Sequence, residues 1–326
     1  MWRRSFIKLL GGAAGAWPFL LRAQSPALPV VILINARGAE KSGALADEFR
    51  KGLRQSGFAV GTDVLVEYHW LDGHYEQLPA IMNDAVRRKV AVIATPGSSP
   101  GALAAKAATG TIPIVFGVAE DPVALGLVKS LARPSSNATG INFFASEIDT
   151  KRLGLMHELL PKATRFAVLV NPANPATADA TRKALGEVAP GLGLELLFFG
   201  ASTPAEIDTA FTAVTSAGVH AVFVAPDAFF TSQSAQFATL ADRLPASAFS
   251  SELAAAGLLM SYGTNLADMF RQVGLYSGTI LKGAKPADLP VLQSTKFEFT
   301  INLKTARSLG IDIPPTLLAR ADEVIE

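Results

Sequence analysis

From Pro29 onward, short runs of β-branched and other apolar residues alternate with longer stretches in which apolar residues recur every three or four positions. The short runs suit strands covered on both faces, and the longer stretches suit helices packed on those faces. The alternation therefore predicts parallel sheets joined by helical crossovers. In the first half, strands are expected at 29–35 (PVVILIN), 63–69, 90–95, 112–116 and 140–144. Among the helices between them, 40–56 carries Leu45, Phe49 and Leu53 on one stripe and is stopped by Gly57.

The second half repeats the first. RFAVLVNP at 165–172 mirrors the run from Pro29, and HAVFVAPDA at 220–228 mirrors VAVIATPGS at 90–98, offsets of about 136 and 130 residues, with GLELLFFG at 193–200 as a further strand. A period that long fits two duplicated lobes rather than a solenoid. A strand at 257–262, a helix at 265–282 and a strand at 296–302 feeding a C-terminal helix complete the pattern. The fold class expected is α/β, two doubly wound Rossmann-like lobes facing each other across a cleft.

The N-terminus is different in kind. MWRRSFIKLLGGAAGAWPFLLRAQS has a basic start, an apolar middle and Leu21-Arg22-Ala23 before Gln24, which reads as an export signal over 1–23 cleaved near Ala23. RRSFIK resembles the twin-arginine signal. The apolar stretch from Phe6 to Leu21 is Gly/Ala-rich, contains Pro18 and falls short of the ~20 residues that a membrane span needs. The expected location is the periplasm.

Composition narrows the chemistry. Removing the positive charges of Arg3, Arg4, Lys8 and Arg22 from the net +1 leaves about −3, which argues against nucleic acid as a partner. The chain has no cysteine, and its histidines at 69, 74, 157 and 220 lack the HxxxH spacing, so neither a thiol nucleophile nor a zinc site is expected. GxGxxG and GxxxxGK[ST] are absent, and Glu120 and Asp121 lack the context that paired catalytic acids require. No enzyme activity, cofactor or metal is expected.

In doubly wound sheets ligands sit beyond the carboxyl ends of the strands, near helix N-termini. That rule selects Asn35, the TPGSSPG loop with Thr95, Ser98 and Ser99, then Phe116, Asn142 and Phe144 in the first half. In the second half it selects Asp227, Phe229, Ser251 and Tyr262. The hydroxyls and amides of the first loop suit an anion, although Ser98 or Ser99 could equally cap its own helix. Asp227 stands where the duplicated loop has Gly97, so a carboxylate would face hydroxyls and amides, as a zwitterion requires. Asp227 could also simply cap the helix that follows it. The string EYHWLDGHYEQL (67–78) reads as packed surface.

The stretch TPGSSPGALAAKAATGTIPIVFGVAEDPVALGLVKSLARPSSNATG (95–140) and the ending INLKTARSLGIDIPPTLLARADEVI (301–325) resemble the ABC-transporter substrate-binding proteins related to tryptophan- and phenylalanine-binding periplasmic proteins. The resemblance implies a type I periplasmic-binding fold with three crossings near 142–145, 262–265 and 293–297. The lobes would then be 24–143 with 264–293, and 144–263 with 294–326. It also implies that the Thr95–Ser99 loop and Asp227 line the cleft. The partners implied are a small-molecule ligand and an ABC permease in the inner membrane, with the binding protein a monomer. The residues after Asp227 depart from those of aromatic-binding members. The ligand expected is an aromatic or branched amino acid, with a small aromatic carboxylate, or a sensing rather than transport role, as alternatives.

Overall fold

The computed structural model describes residues 27–143 and 145–326; the expected export signal and Phe144 lie outside the described residues. Strands β1 (Val30–Asn35), β2 (Leu65–Trp70), β3 (Val92–Pro96), β4 (Ile114–Val118) and β5 (Ala138–Asn142) come first. Next are β6 (Arg165–Val170), β7 (Glu195–Gly200), β8 (Ala221–Val224), β9 (Ala246–Ala248) and β10 (Met260–Thr264). The two-residue β11 (Leu292–Gln293), β12 (Phe297–Asn302) and β13 (Glu323–Ile325) end the chain.

Two sheets result, ordered β11-β5-β4-β3-β1-β2 and β13-β12-β10-β9-β8-β6-β7. Every pairing is parallel except β10 with β12. The expected fold class is thus present, and the duplication is visible in the matching orders β2-β1-β3-β4 and β7-β6-β8-β9. Within β1, Val31 and Leu33 face one apolar cluster while Ile32 and Ile34 face another, the period-two arrangement of a strand buried on both sides. In the second sheet Val168 and Val170 are likewise opposed to Ala167 and Leu169.

The chain passes between the sheets after Asn142, after Thr264 and after Gln293. At the latter two passages the strands are tied together. Asn265 donates its amide to the Lys296 carbonyl at 3.0 Å, and its side chain caps helix Leu266–Leu281 by accepting from the Asp268 amide at 2.6 Å. Lys296 reaches Asp268 at 2.8 Å. Burial alone would raise the Asp268 carboxyl, but the bonds from Lys296, Arg271 and Gln272 outweigh it and hold the group down at about 2.

Helix Leu266–Leu281 follows a strand of the second sheet yet packs on the first, against helix Gly43–Gln55. The approach is close enough to need glycine on both sides. A Cβ on Gly52 would lie 2.0 Å from the Arg271 carbonyl oxygen, and one on Gly274 would lie 2.1 Å from that of Phe49. Three short strands escape the hydrophobic pattern: β9 is Ala-Ser-Ala, β11 has two residues, and β13 occupies part of the expected C-terminal helix. The helical part of that segment is two short pieces, Leu303–Ser308 and Pro315–Leu318.

Candidate functional site

The carboxyl ends of the two sheets face each other across a cavity holding about 480 Å³ of space free of protein atoms, part of it open to solvent. From the first sheet come Asn35 and Arg37 after β1, Gly97 and Ser99 after β3, and Ala119 after β4. Asn174, Thr177, Pro226 and Asp227 come from the second sheet. Phe143, Phe249, Leu266, Met269 and Phe270 supply apolar wall.

Asp227 is 4% exposed and is held from three sides. Its Oδ1 accepts from Asn171 Nδ2 at 3.1 Å and from the Phe229 amide at 2.9 Å, and its Oδ2 accepts from Asn174 Nδ2 at 3.0 Å. The amide bond makes Asp227 the cap of the short helix Ala228–Ser232, so the capping role is real and coexists with a place in the cavity wall. Burial pushes the Asp227 carboxyl upward, the two asparagines and the Phe229 amide pull it back, and the charge of Glu120 adds to the rise. Asn174 is oriented by the same contact. Since a carboxylate only accepts, Asn174 presents Nδ2 to Asp227, and its buried Oδ1 is left without a partner among the described residues.

Asp227 rests on a buried layer. The Arg152 guanidinium donates to the Val224 carbonyl at 3.0 Å, pairs with Asp149 at 3.1 Å and lies 3.9 Å above the Phe223 ring. It therefore fixes the end of β8 just before Pro226 and Asp227. Asp149 accepts from Thr181 at 2.9 Å, which ties helix Pro175–Val188 to the same layer.

Side chains join the two sheets across the cavity. Arg37, 2% exposed, pairs with Glu252 of helix Ser251–Ala256. The Glu120 carboxylate accepts from Ser99 on its own side and from Thr177 on the other. Tyr75 is buried beside Asp227, and burial together with the charge of that carboxylate drives the phenol well above its ordinary range. Phe229 reaches over to Gly73, where a Cβ would come 2.6 Å from its ring; with φ at +83° as well, only glycine suits that turn.

Of the residues selected from sequence, Asn35, Ser99 and Asp227 line the cavity. Phe144 lies outside the described residues, and the others stand elsewhere for identifiable reasons. Ser98 caps its own helix, Ser99–Ala108, by accepting from the Gly101 amide at 3.2 Å. Thr95 is fully buried behind the loop, with its hydroxyl unpartnered among the described residues. Asn142 is structural: its Nδ2 donates to the carbonyls of Val118 at 3.3 Å and Glu120 at 2.5 Å, which fixes the backbone carrying Glu120. Phe116 points into the core on one face of its sheet, and Phe229 packs in the core as well as against Gly73.

Ser251 is one position away from the group that reaches across, Glu252. Tyr262 belongs to the core of the second sheet, accepts from Lys151 at 2.6 Å and lines a separate groove with Phe297 and Arg320. The anion wall expected of the TPGSSPG loop is also thin. Pro100 has no N–H, the Gly101 amide is taken by Ser98, and the Ser99 hydroxyl is donated to a carboxylate. The positive charge in the wall is instead Arg37, two residues beyond β1.

Arg37, Glu120, Asn174 and Thr177 were not selected from sequence, though the strand-end rule reaches the first two if extended by two residues. Tyr75 lay within a string read as packed surface. Only the pairing of the two sheets brings it to Asp227.

Known proteins agree with this architecture. Over 269 residues, 81% of this chain and 75% of the relative, the sequence is 27% identical to a protein of Clostridioides difficile (strain R20291) named tyrosine-binding protein. The crystal structure of a conserved domain protein from Vibrio cholerae superposes with a TM-score of 0.84 at 26% identity, covering 91% of this chain and 99% of that one. A domain from Streptococcus pneumonia, solved in complex with L-Trp, superposes with a TM-score of 0.79 at 23% identity, covering 92% of this chain and all of the other (100%). The fold is that of the type I periplasmic binding proteins. The family model for ABC transporter substrate binding proteins matches residues 35–325, and this chain is a member of that family.

Proposed function

We propose that the chain is the periplasmic solute-binding component of an ABC importer and that it holds an amino acid with a large apolar, most fittingly aromatic, side chain between its two lobes. The observation that carries this reading is a single cavity whose wall combines polar groups, Asp227, Asn174 and Arg37, with apolar ones, Phe143, Phe249, Met269 and Phe270. An α-ammonium meets the carboxylate, an α-carboxylate meets the guanidinium, and a ring meets the aromatic wall. The relative named as a tyrosine-binding protein supports the same ligand class.

The three passages between sheets act as the hinge, and closure expels water from the cleft. The lobes are residues 24–143 with 264–293, and 144–263 with 294–326. The N-terminal signal directs export, and the closed form is what the permease reads. Among the described residues no helix is long and apolar enough to cross a membrane.

A thermal-shift screen tests the ligand. At one hundred times its dissociation constant, tyrosine, tryptophan or phenylalanine should add about 2.7 kcal/mol of stability. For a chain of this size that reads as a rise of roughly 5 °C or more. A rise with aromatic acids that lack the amine, and none with amino acids, would move the reading to an aromatic carboxylate held by Arg37.

Acidity supplies a second check. Only ionised Asp227 can pair with an ammonium, and its carboxyl is raised by burial. Affinity for an amino acid should therefore be flat near neutral pH and fall on acidification, beginning above the ~3.9 at which an ordinary aspartate titrates. Calorimetry across that range is the measurement. An affinity that holds constant down to about pH 4 would remove Asp227 from the ammonium's contacts.

A further inference from the structure

A second, smaller cavity, with about 250 Å³ of space free of protein atoms, part of it open to solvent, adjoins the one described above. Phe143, Pro226, Phe249 and Leu266 line both, so these four side chains are the partition between them. Behind the partition the wall is completed by Ile148 of helix Ala145–Leu159 and by Gly263 and Thr264 at the end of β10. A Cβ on Gly263 would lie 1.7 Å from the Phe249 carbonyl oxygen, so Phe249 is seated directly on the strand that ends in Thr264. Met260 and Tyr262 face the apolar cluster that contains Ile148, and the period of a strand turns Thr264 to that same side. Thr264, 6% exposed, is the one polar side chain in this wall among the described residues. Its hydroxyl can both donate and accept, yet it has no partner among the described residues. A buried hydroxyl left unpaired is costly, and valine would fill the same volume without that cost. None of the five apolar side chains around it carries an N–H or O–H. Its partner must therefore arrive with whatever enters the chamber: a ring suits the apolar walls, and a hydroxyl on that ring suits Thr264.

We propose that this chamber is a subsite for a phenol: the aromatic ring of the ligand reaches past the Phe143–Phe249 partition, and its hydroxyl pairs with the hydroxyl of Thr264. Thr264 thereby decides between rings that differ by a single oxygen. This deepens the amino-acid reading above and rests on it for the α-amino end of the ligand, but not for the ring, since the chamber wall carries no charged group among the described residues.

The test is calorimetry of the full-length protein with two pairs of compounds that differ only in the phenolic oxygen: L-tyrosine with L-phenylalanine, and 3-(4-hydroxyphenyl)propionate with 3-phenylpropionate. Wild type should favour the phenol of a pair by about tenfold or more, because the analogue without it leaves Thr264 unpaired. Thr264→Val keeps the branched shape and should bring the members of a pair to within about threefold of each other, through loss of affinity for the phenol. Thr264→Ser keeps the hydroxyl and should retain the preference. If Thr264→Val fails to fold by circular dichroism, Thr264→Ala removes the same hydroxyl, and the same convergence is expected. Equal affinities within both pairs in wild type, a preference that survives Thr264→Val, or an equal loss of affinity for L-tryptophan in that variant would overturn the phenol subsite. The two readings separate in the outcome. A Thr264-dependent preference within the propionate pair, with neither amino acid bound, keeps the subsite and removes the amino-acid reading. Indifferent binding of tyrosine and phenylalanine does the reverse, and binding of none of the four compounds removes both.

Discussion

Asp227→Ala is expected to weaken amino-acid binding by about 2–5 kcal/mol, from roughly thirtyfold to beyond a thousandfold, because it strands the ligand's ammonium in a desolvated cleft. The fold should survive. The capped helix, Ala228–Ser232, has five residues, and loss of such a cap costs about 1 kcal/mol. Asn171 and Asn174 also lose their acceptor, so thermal melts of the ligand-free variant should accompany the binding data. Asp227→Asn separates charge from shape. It can keep a hydrogen bond to the Phe229 amide through its remaining oxygen, and if charge carries recognition its affinity should fall nearly as far as that of the alanine variant. Calorimetric affinities within about threefold of wild type for both variants would show that Asp227 only caps its helix.

The second large effect concerns stability. Gly274→Ala places a methyl group 2.1 Å from the Phe49 carbonyl oxygen, a backbone atom that no rotamer change can move. Helices Gly43–Gln55 and Leu266–Leu281 must then separate, and Leu45, Phe49 and Leu53 lose part of their contact with Val273 and its neighbours. Overpacking of this kind costs about 3 kcal/mol or more, set against the few tenths to 1 kcal/mol by which alanine normally favours a helix over glycine. Chemical denaturation should show a clear drop in midpoint. A neutral or stabilising result would mean that the helices have room to slide. Gly154, on an exposed-to-buried helix with nothing within 4 Å of its Cβ position, is the matched control.

Much of the fold was legible because its strands are buried on both faces. β1, β3, β4, β6 and β8 read as apolar runs, and the duplication showed in their spacing. β9 and β11 carry no such signal, since Ala-Ser-Ala and a two-residue bridge are strands only by virtue of their neighbours. At the site, Asp227 could be singled out because it breaks the match between two similar loops. Ser98 and Ser99 could not be separated by sequence: both follow a strand, but one cap position faces its own helix and the next faces Glu120. Arg37, Tyr75 and Thr177 gain their meaning from partners 215, 152 and 57 residues away in the chain, at Glu252, Asp227 and Glu120. No local pattern encodes separations of that kind.

The glycine-to-glycine seat of helix Leu266–Leu281 on helix Gly43–Gln55 also bears on how the protein is made. The first sheet's strands β1 to β5 are all synthesised by Asn142, but the helix that covers Phe49 and Leu53 follows only after the whole of β6 to β10. The N-terminal lobe therefore has an uncovered apolar face while most of the second lobe emerges, and its last contacts are among the longest-range in the chain. Loops of that length raise the entropic barrier to nucleation and slow folding. Assembly of the two lobes is consequently interlocked: the first half waits for a helix made after β10, and the second half in turn waits for β12 and β13, made after that helix.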